Sequence, residues 1–173
     1  MPLPVAHGLL GASIVAALDP QLTNRRYALA VLGGALLANA ADLDFLLVFA
    51  MHSKSWHRGF THSVVFALLI CILACLSLGK RRLKEALAYG LAFTSHGLLD
   101  CLTSNEGTGV ELLWPFSTDR MKLGWWGLSE GPSQLPLSGI IKALAVEFAL
   151  FAPLFVAILL LRRVGTRLEV STS

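Results

Sequence analysis

Apolar residues fall in five blocks along the chain, at about 4–18, 27–51, 61–78, 83–102 and 137–161. A helix needs about 20 consecutive apolar residues to cross a hydrocarbon layer about 30 Å thick. The last four blocks approach or exceed that length. The first is short, which suits a tilted helix or one lying partly in the interface. The pattern predicts an all-α fold: a polytopic membrane helix bundle with about five apolar helices, built as a single domain over 1–173. No internal repeat is visible. Between the fourth and fifth blocks, 103–136 carries Trp114, Phe116, Trp125 and Trp126 among glycines and prolines. Trp is at home at the membrane–water boundary, and a connection this long is usually functional or disordered. It reads as a long outer interfacial loop, a flap. The end, 165–173, is polar and reads as a flexible tail.

Composition supports the bilayer. The chain is 55% hydrophobic and 14% charged, where soluble domains carry about a quarter charged residues. The formal net charge of +3 is no nucleic-acid signal. Cys71, Cys75 and Cys101 are odd in number and two lie mid-block, so they read as small packing residues rather than a disulfide framework. The N-terminus lacks a basic n-region and is interrupted by His7 and Gly8, so it does not read as a signal peptide.

Charge then orients the bundle. If the blocks alternate in direction, nine basic residues share one side: Arg25, Arg26, Lys80, Arg81, Arg82, Lys84, Arg162, Arg163 and Arg167. Lys54, Arg58, Arg120, Lys122 and Lys142 lie on the other. The positive-inside rule makes the first side cytoplasmic, with the N-terminus outside and the C-terminus inside.

Seven ligand-type side chains lie in or beside these blocks: His7, Asp42, Asp44, His57, His62, His96 and Asp100. Ionisable groups are expensive in a membrane and mark functional sites there. The topology puts all seven at one depth, at the outer end of four separate blocks. His96 and Asp100 are four apart and share a helix face. His57 and His62 flank a helix start, with Gly59 permitting a tight turn. Asp42 and Asp44 come together only if the helix breaks there, and one can bridge ions while the other orients a His. His7 is the lone member. Each has a plainer reading, as structural glue, a solvated loop or a helix cap, and the shared depth favours one site. Arg58 stays protonated, so it is either an anion grip or a snorkelling cation. Glu147 is intramembrane and can complete the site, shuttle protons or pair with Lys142. Glu111 is read as solvated. Gly127-Leu-Ser129-Glu-Gly131 matches G-x-S-x-G without the strand–turn–helix that pattern needs, so it is a chance match. His-Glu-x-x-His is absent.

A catalytic zinc takes about three protein ligands and keeps one position open. Seven ligand-type groups suit two ions sharing a carboxylate, an arrangement that hydrolyses phosphoesters. The order His7, Asp42-x-Asp44, His57-Arg58-Gly59-x-Thr61-His62, His96-x-x-x-Asp100 and Leu113-Trp-Pro-Phe-Ser117 resembles the LexA-regulated, membrane-bound, metal-dependent hydrolase family from His7 through Ser117. The resemblance implies a membrane hydrolase, here of a bacterial inner membrane. A fainter similarity links the same ligand order to zinc-dependent phospholipase C, an all-helical enzyme. No His follows His96, so any third zinc would need Glu147 or Glu111.

The resulting expectation is a membrane-integral, metal-dependent hydrolase with its site toward the periplasm, cleaving a phosphoester of a phospholipid or lipid-linked substrate with metal-activated water. The metals are divalent, two zinc ions, with manganese or iron as alternatives that His and Asp ligands also accept. Asp44, His57, Arg58 and Glu147 carry the catalytic expectations. The partners are the bilayer and its lipids, with no nucleic acid, and the oligomeric state is open. Two rivals stand beside it: a lipid amide hydrolase similar to membrane ceramidases, and a non-enzymatic metal-binding or transport protein.

Overall fold

The computed structural model describes residues 2–18, 24–104, 109–124 and 136–172, and the last helix's side chains as far as Val164. The helices, in chain order, are α1 (Pro4–Leu18), α2 (Asn24–Asn39), α3 (Phe45–Met51), α4 (Val64–Leu78), α5 (Leu83–Thr103) and α6 (Leu137–Thr172), with short 3-10 turns between some of them. α6 therefore takes in most of the stretch read as a tail. Among the described residues the only extended pairing is a bridge between Val110 and Met121.

Local chemistry sets the ends. Pro4 opens α1, where its missing N–H costs nothing. Ser63 caps α4 by accepting from the Phe66 amide at 3.1 Å. His52, at φ 50°, stops α3.

α5 is the central rod, packed against α1, α2 and α4. Small residues permit the close crossings, as is usual between membrane helices. Gly11 of α1 meets Gly34 and Ala38 of α2, with no room for a Cβ. Gly90 of α5 lies on Cys71 of α4, consistent with a packing role for that cysteine. α6 packs along α1 and ties down both its ends. The Glu147 carboxylate accepts from the Leu3 and Ala6 amides at 2.5 and 3.1 Å. Arg162 donates to the Ala16 carbonyl in the last turn. An acid on the amino end and a base on the carboxyl end both oppose the α1 dipole.

The five blocks correspond to α1, α2 with α3, α4, α5 and α6, but they are not five membrane-crossing helices. Among the described residues two helices are long and apolar enough to cross, Arg25–Met51 and Leu137–Val164. A third results if Lys54–His62 and Val64–Leu78, bent by 54°, count as one span. α1, at about 1.5 Å per residue, is too short for a hydrocarbon layer about 30 Å thick. α5 is long enough, but it carries Glu85, Ser95, His96 and Asp100 on buried positions. Those polar positions are sheltered by its neighbours, while Leu87, Leu91 and Leu98 leave one face exposed.

Candidate metal centre

The broken second span creates the first half of the centre. α2 ends at Asn39, a 3-10 turn runs Ala40–Asp44, and α3 resumes at Phe45. The tighter turn brings Asp42 and Asp44, two residues apart, onto one cluster, as the sequence required.

Asp44 is the hub. Its Oδ2 accepts from the Arg58 amide at 2.9 Å and the Thr61 hydroxyl at 3.1 Å. Its Oδ1 lies 2.9 Å from His57 Nδ1. One carboxylate thus holds three positions of the 57–62 loop. Arg58 sits at φ 62°, a conformation disfavoured for a side-chain-bearing residue. It is held there from both sides, because its carbonyl also accepts from the Glu111 amide at 3.0 Å. Arg120 clamps the loop from outside through the His57 and Ser55 carbonyls and pairs with Glu111 at 3.2 Å. Neither Glu111 nor Arg120 joins the His/Asp cluster.

α5 supplies the other half. Gly97 packs against the His62 carbonyl so closely that a Cβ would collide with it. That contact seats the turn Phe60–His62 on the helix and brings His62 to His96. His7 of α1 stacks on His96 with ring centroids 3.9 Å apart, and its Nε2 lies 3.3 Å from Asp100 Oδ1. All seven ligand-type residues are thereby in one cluster.

The tautomers follow from the partners. His96 Nδ1 is 2.6 Å from the Ala38 carbonyl, which can only accept, so Nδ1 carries the proton. Thr61 spends its one hydroxyl proton on Asp44, so it accepts from His62 Nδ1 at 3.0 Å. The two Nε2 atoms face each other at 3.1 Å, and each is a bare lone pair when its ring is neutral. Asp42 Oδ1 lies 3.4 Å from His96 Nε2 and 3.6 Å from His62 Nε2. Asp100 Oδ2 lies 3.9 and 3.7 Å from the same atoms. Ligands about 2.1 Å from a tetrahedral ion stand about 3.4 Å apart, so these separations are those of a ligand set.

Three groups of side chains can hold an ion: His7 with His96 and Asp100, Asp42 with His62 and His96, and Asp42 with Asp44 and His57. Asp42 and His96 are each shared between two of them. Asp42 Oδ1, both Asp100 oxygens and both His7 ring nitrogens are buried without an aligned hydrogen-bond partner among the described residues. Buried acceptors left so are rare, and a cation would satisfy the carboxylate oxygens and the one His7 nitrogen that carries no proton.

Two expected roles change. Arg58 is buried and turned inward, with Nε 3.3 Å from Asp100 Oδ2 and Nη1 donating to Ser104 at 3.2 Å. It is not a snorkelling cation, and its guanidinium is engaged by Asp100 and Ser104. Glu147 is committed to the α1 amides and joins none of the three groups, and no pairing with Lys142 occurs among the described contacts. It is an anchor of α1, which carries His7. Trp125, Trp126 and the Gly127–Gly131 motif lie outside the described residues. The Ala38 carbonyl, Thr61, Ser104 and Arg120 also build the site. Only the Thr61 hydroxyl beside His62 gave a sequence signal, because a backbone acceptor has none.

No solved structure matches this chain. A curated relative, the inner membrane protein YbcI of Escherichia coli (strain K12), is 32% identical over 140 residues, covering 78% of this chain and 80% of that protein. The family model described as YdjM inner membrane protein matches residues 1–168. The apolar helices agree with that location, and the chain belongs to the YdjM family of inner membrane proteins.

Proposed function

We propose that this protein is a metal-dependent hydrolase of a membrane lipid, with its site on the periplasmic side. The observation that carries the reading is the 3.1 Å approach of His62 Nε2 and His96 Nε2, beside carboxylate oxygens of Asp42 and Asp100 that make no aligned hydrogen bond. Opposed lone pairs repel unless a proton or a metal ion lies between them, and no ring proton is left for that place while both rings are neutral. Asp42, His62 and His96 would hold one ion and His7, His96 and Asp100 an alternative or second one, and zinc suits such sets. A bound divalent ion would supply Lewis acidity and make water nucleophilic near neutral pH. His57 is held by Asp44 through Nδ1 and is partly exposed, which suits it to take a proton from water or give one to a leaving group.

Charge links ion count to substrate. Asp42, Asp44 and Asp100, offset by Arg58, leave two formal negative charges when the imidazoles are neutral. One divalent ion balances them and suits an uncharged carbonyl. Two ions leave net positive charge, which suits an anionic phosphoester. The phosphoester reading follows from the number of ligand groups. The amide reading gains from Arg58, whose guanidinium is engaged by Asp100 and Ser104.

The test is turnover of phospholipid and ceramide-type lipids by purified protein in detergent or nanodiscs, with metal counted in the same sample. Chelator-sensitive cleavage that His96→Ala abolishes is expected. Cleavage indifferent to both would contradict the reading. Metal bound without turnover of either lipid class would favour a metal-binding protein.

A further inference from the structure

Among the described residues the cluster is covered on its outer side and reaches the surface through two side chains. On the outer side, among the described residues, 109–124 roofs it. The Glu111 amide donates to the Arg58 carbonyl, the Leu112 carbonyl accepts from Val64, and the Leu123 amide donates to the Cys101 carbonyl. Arg120 closes the gap above His57 through two carbonyls. The side chains of His7, Asp44, His62, His96 and Asp100 are fully covered, and Arg58 is nearly so. Only Asp42 and His57 reach the surface, at 19% and 18%.

Hydrocarbon side chains flank the Asp42 side of this surface, and exposed Ser55 and Arg120 adjoin His57 on its outer side. Leu43 and Leu46, beside and one turn beyond Asp42, are exposed, and Phe45 lies over His57 with centroids 4.1 Å apart. Below them Leu29, Leu32 and Leu36 stand three and four apart on α2, so they share one face, and all are exposed. This stretch lies inside the membrane-crossing segment Arg25–Met51. α3 lies between the opening and the outer end of the span, and its seven residues place Asp42 up to about 10 Å below that end.

We infer that the site takes its substrate sideways from the bilayer, as an acyl-chain-bearing molecule. Its tail lies along Leu29, Leu32 and Leu36, and its cleavable polar group reaches Asp42 and His57 beneath Phe45. The inference rests on the lipid-hydrolase reading for the cleavage, but the opening itself is tested without turnover.

The probe is carbodiimide modification of Asp42 in chelator-treated protein reconstituted in vesicles, read by mass spectrometry. A membrane-partitioning carbodiimide should modify Asp42 at least about tenfold faster than a water-soluble one, since two buried methylenes already confer about that partition advantage. Leu46→Trp should slow the reaction and Phe45→Ala should speed it. Equal or faster modification by the water-soluble reagent would overturn the opening. So would no modification by either reagent even in Phe45→Ala. Lipid-side modification in protein that cleaves no lipid would leave the opening standing and count against the hydrolase reading.

Discussion

His62 Nε2 and His96 Nε2 face each other at 3.1 Å, and each ring has already given its other proton away, to Thr61 and to the Ala38 carbonyl. Hydrogen bonds on the far nitrogen fix which nitrogen of a metal-binding imidazole is free. The relay from Asp44 through Thr61 to His62 is therefore part of the site, although neither Asp44 nor Thr61 needs to touch an ion. Thr61→Val keeps the shape and removes the acceptor for His62 Nδ1. Metal affinity, read by competition with a chromogenic chelator, should fall about 10- to 100-fold, the usual cost of losing such a partner. Unchanged affinity would show that the tautomer is set elsewhere.

Asp44→Ala removes the acceptor for the Arg58 amide, the Thr61 hydroxyl and His57 at once. A buried donor left unsatisfied costs about 1–3 kcal/mol, and Arg58 would keep its unfavourable φ with less to hold it. The variant should lose at least about 2 kcal/mol of stability, measured by denaturant unfolding in detergent, and the loss should persist in chelator. A loss seen only with metal present would make Asp44 mainly a ligand.

Arg58→Met strips the buried Asp100 carboxylate of its cation. Breaking a buried pair costs about 3–5 kcal/mol, and a bound divalent ion would compensate part of it. The variant should be strongly destabilised in chelator and regain stability on metal addition by more than wild type does. Equal metal-induced gains would separate Arg58 from the metal centre.

Gly97→Ala tests the seat of His62. In an exposed helix interior this change gains about 1 kcal/mol. Here the sign should reverse, because the new Cβ meets the His62 carbonyl backbone and not a flexible side chain. Lower stability together with weaker metal binding is expected. A stabilised variant with full metal content would mean that α5 and the 60–62 turn are not in that contact.

Glu147→Ala removes the carboxylate that caps α1. Loss of a helix cap costs about 1 kcal/mol, and folded Glu147→Ala should keep its metal. Glu147→Gln, which retains one acceptor oxygen, should fall between it and wild type. Loss of metal from folded Glu147→Gln would return Glu147 to the centre.

The sequence revealed the helical blocks and the clustering of His and Asp because both depend on composition and short spacing. The i, i+4 pair His96 and Asp100 has to share a face. The number of spans was not legible, because α1 is short and α5 carries polar side chains on the face that its neighbours bury. Arg58's inward turn was hidden as well. It depends on amide contacts from Asp44 and Glu111, which are 14 and 53 positions away in the chain. Glu147 looked catalytic because a membrane acid usually is. Its use as a cap for a helix 141 and 144 residues away is a tertiary fact.

If the four separated segments meet to hold a divalent ion, the protein should bring it out of the membrane. Elemental analysis of untagged protein, purified from membranes without chelator, tests this most directly. Wild type should carry at least about one divalent ion per chain, and folded His96→Ala and Asp42→Asn should carry far less. Metal-free wild type that also binds no added zinc, manganese or iron would contradict the account, as would full metal content in His96→Ala.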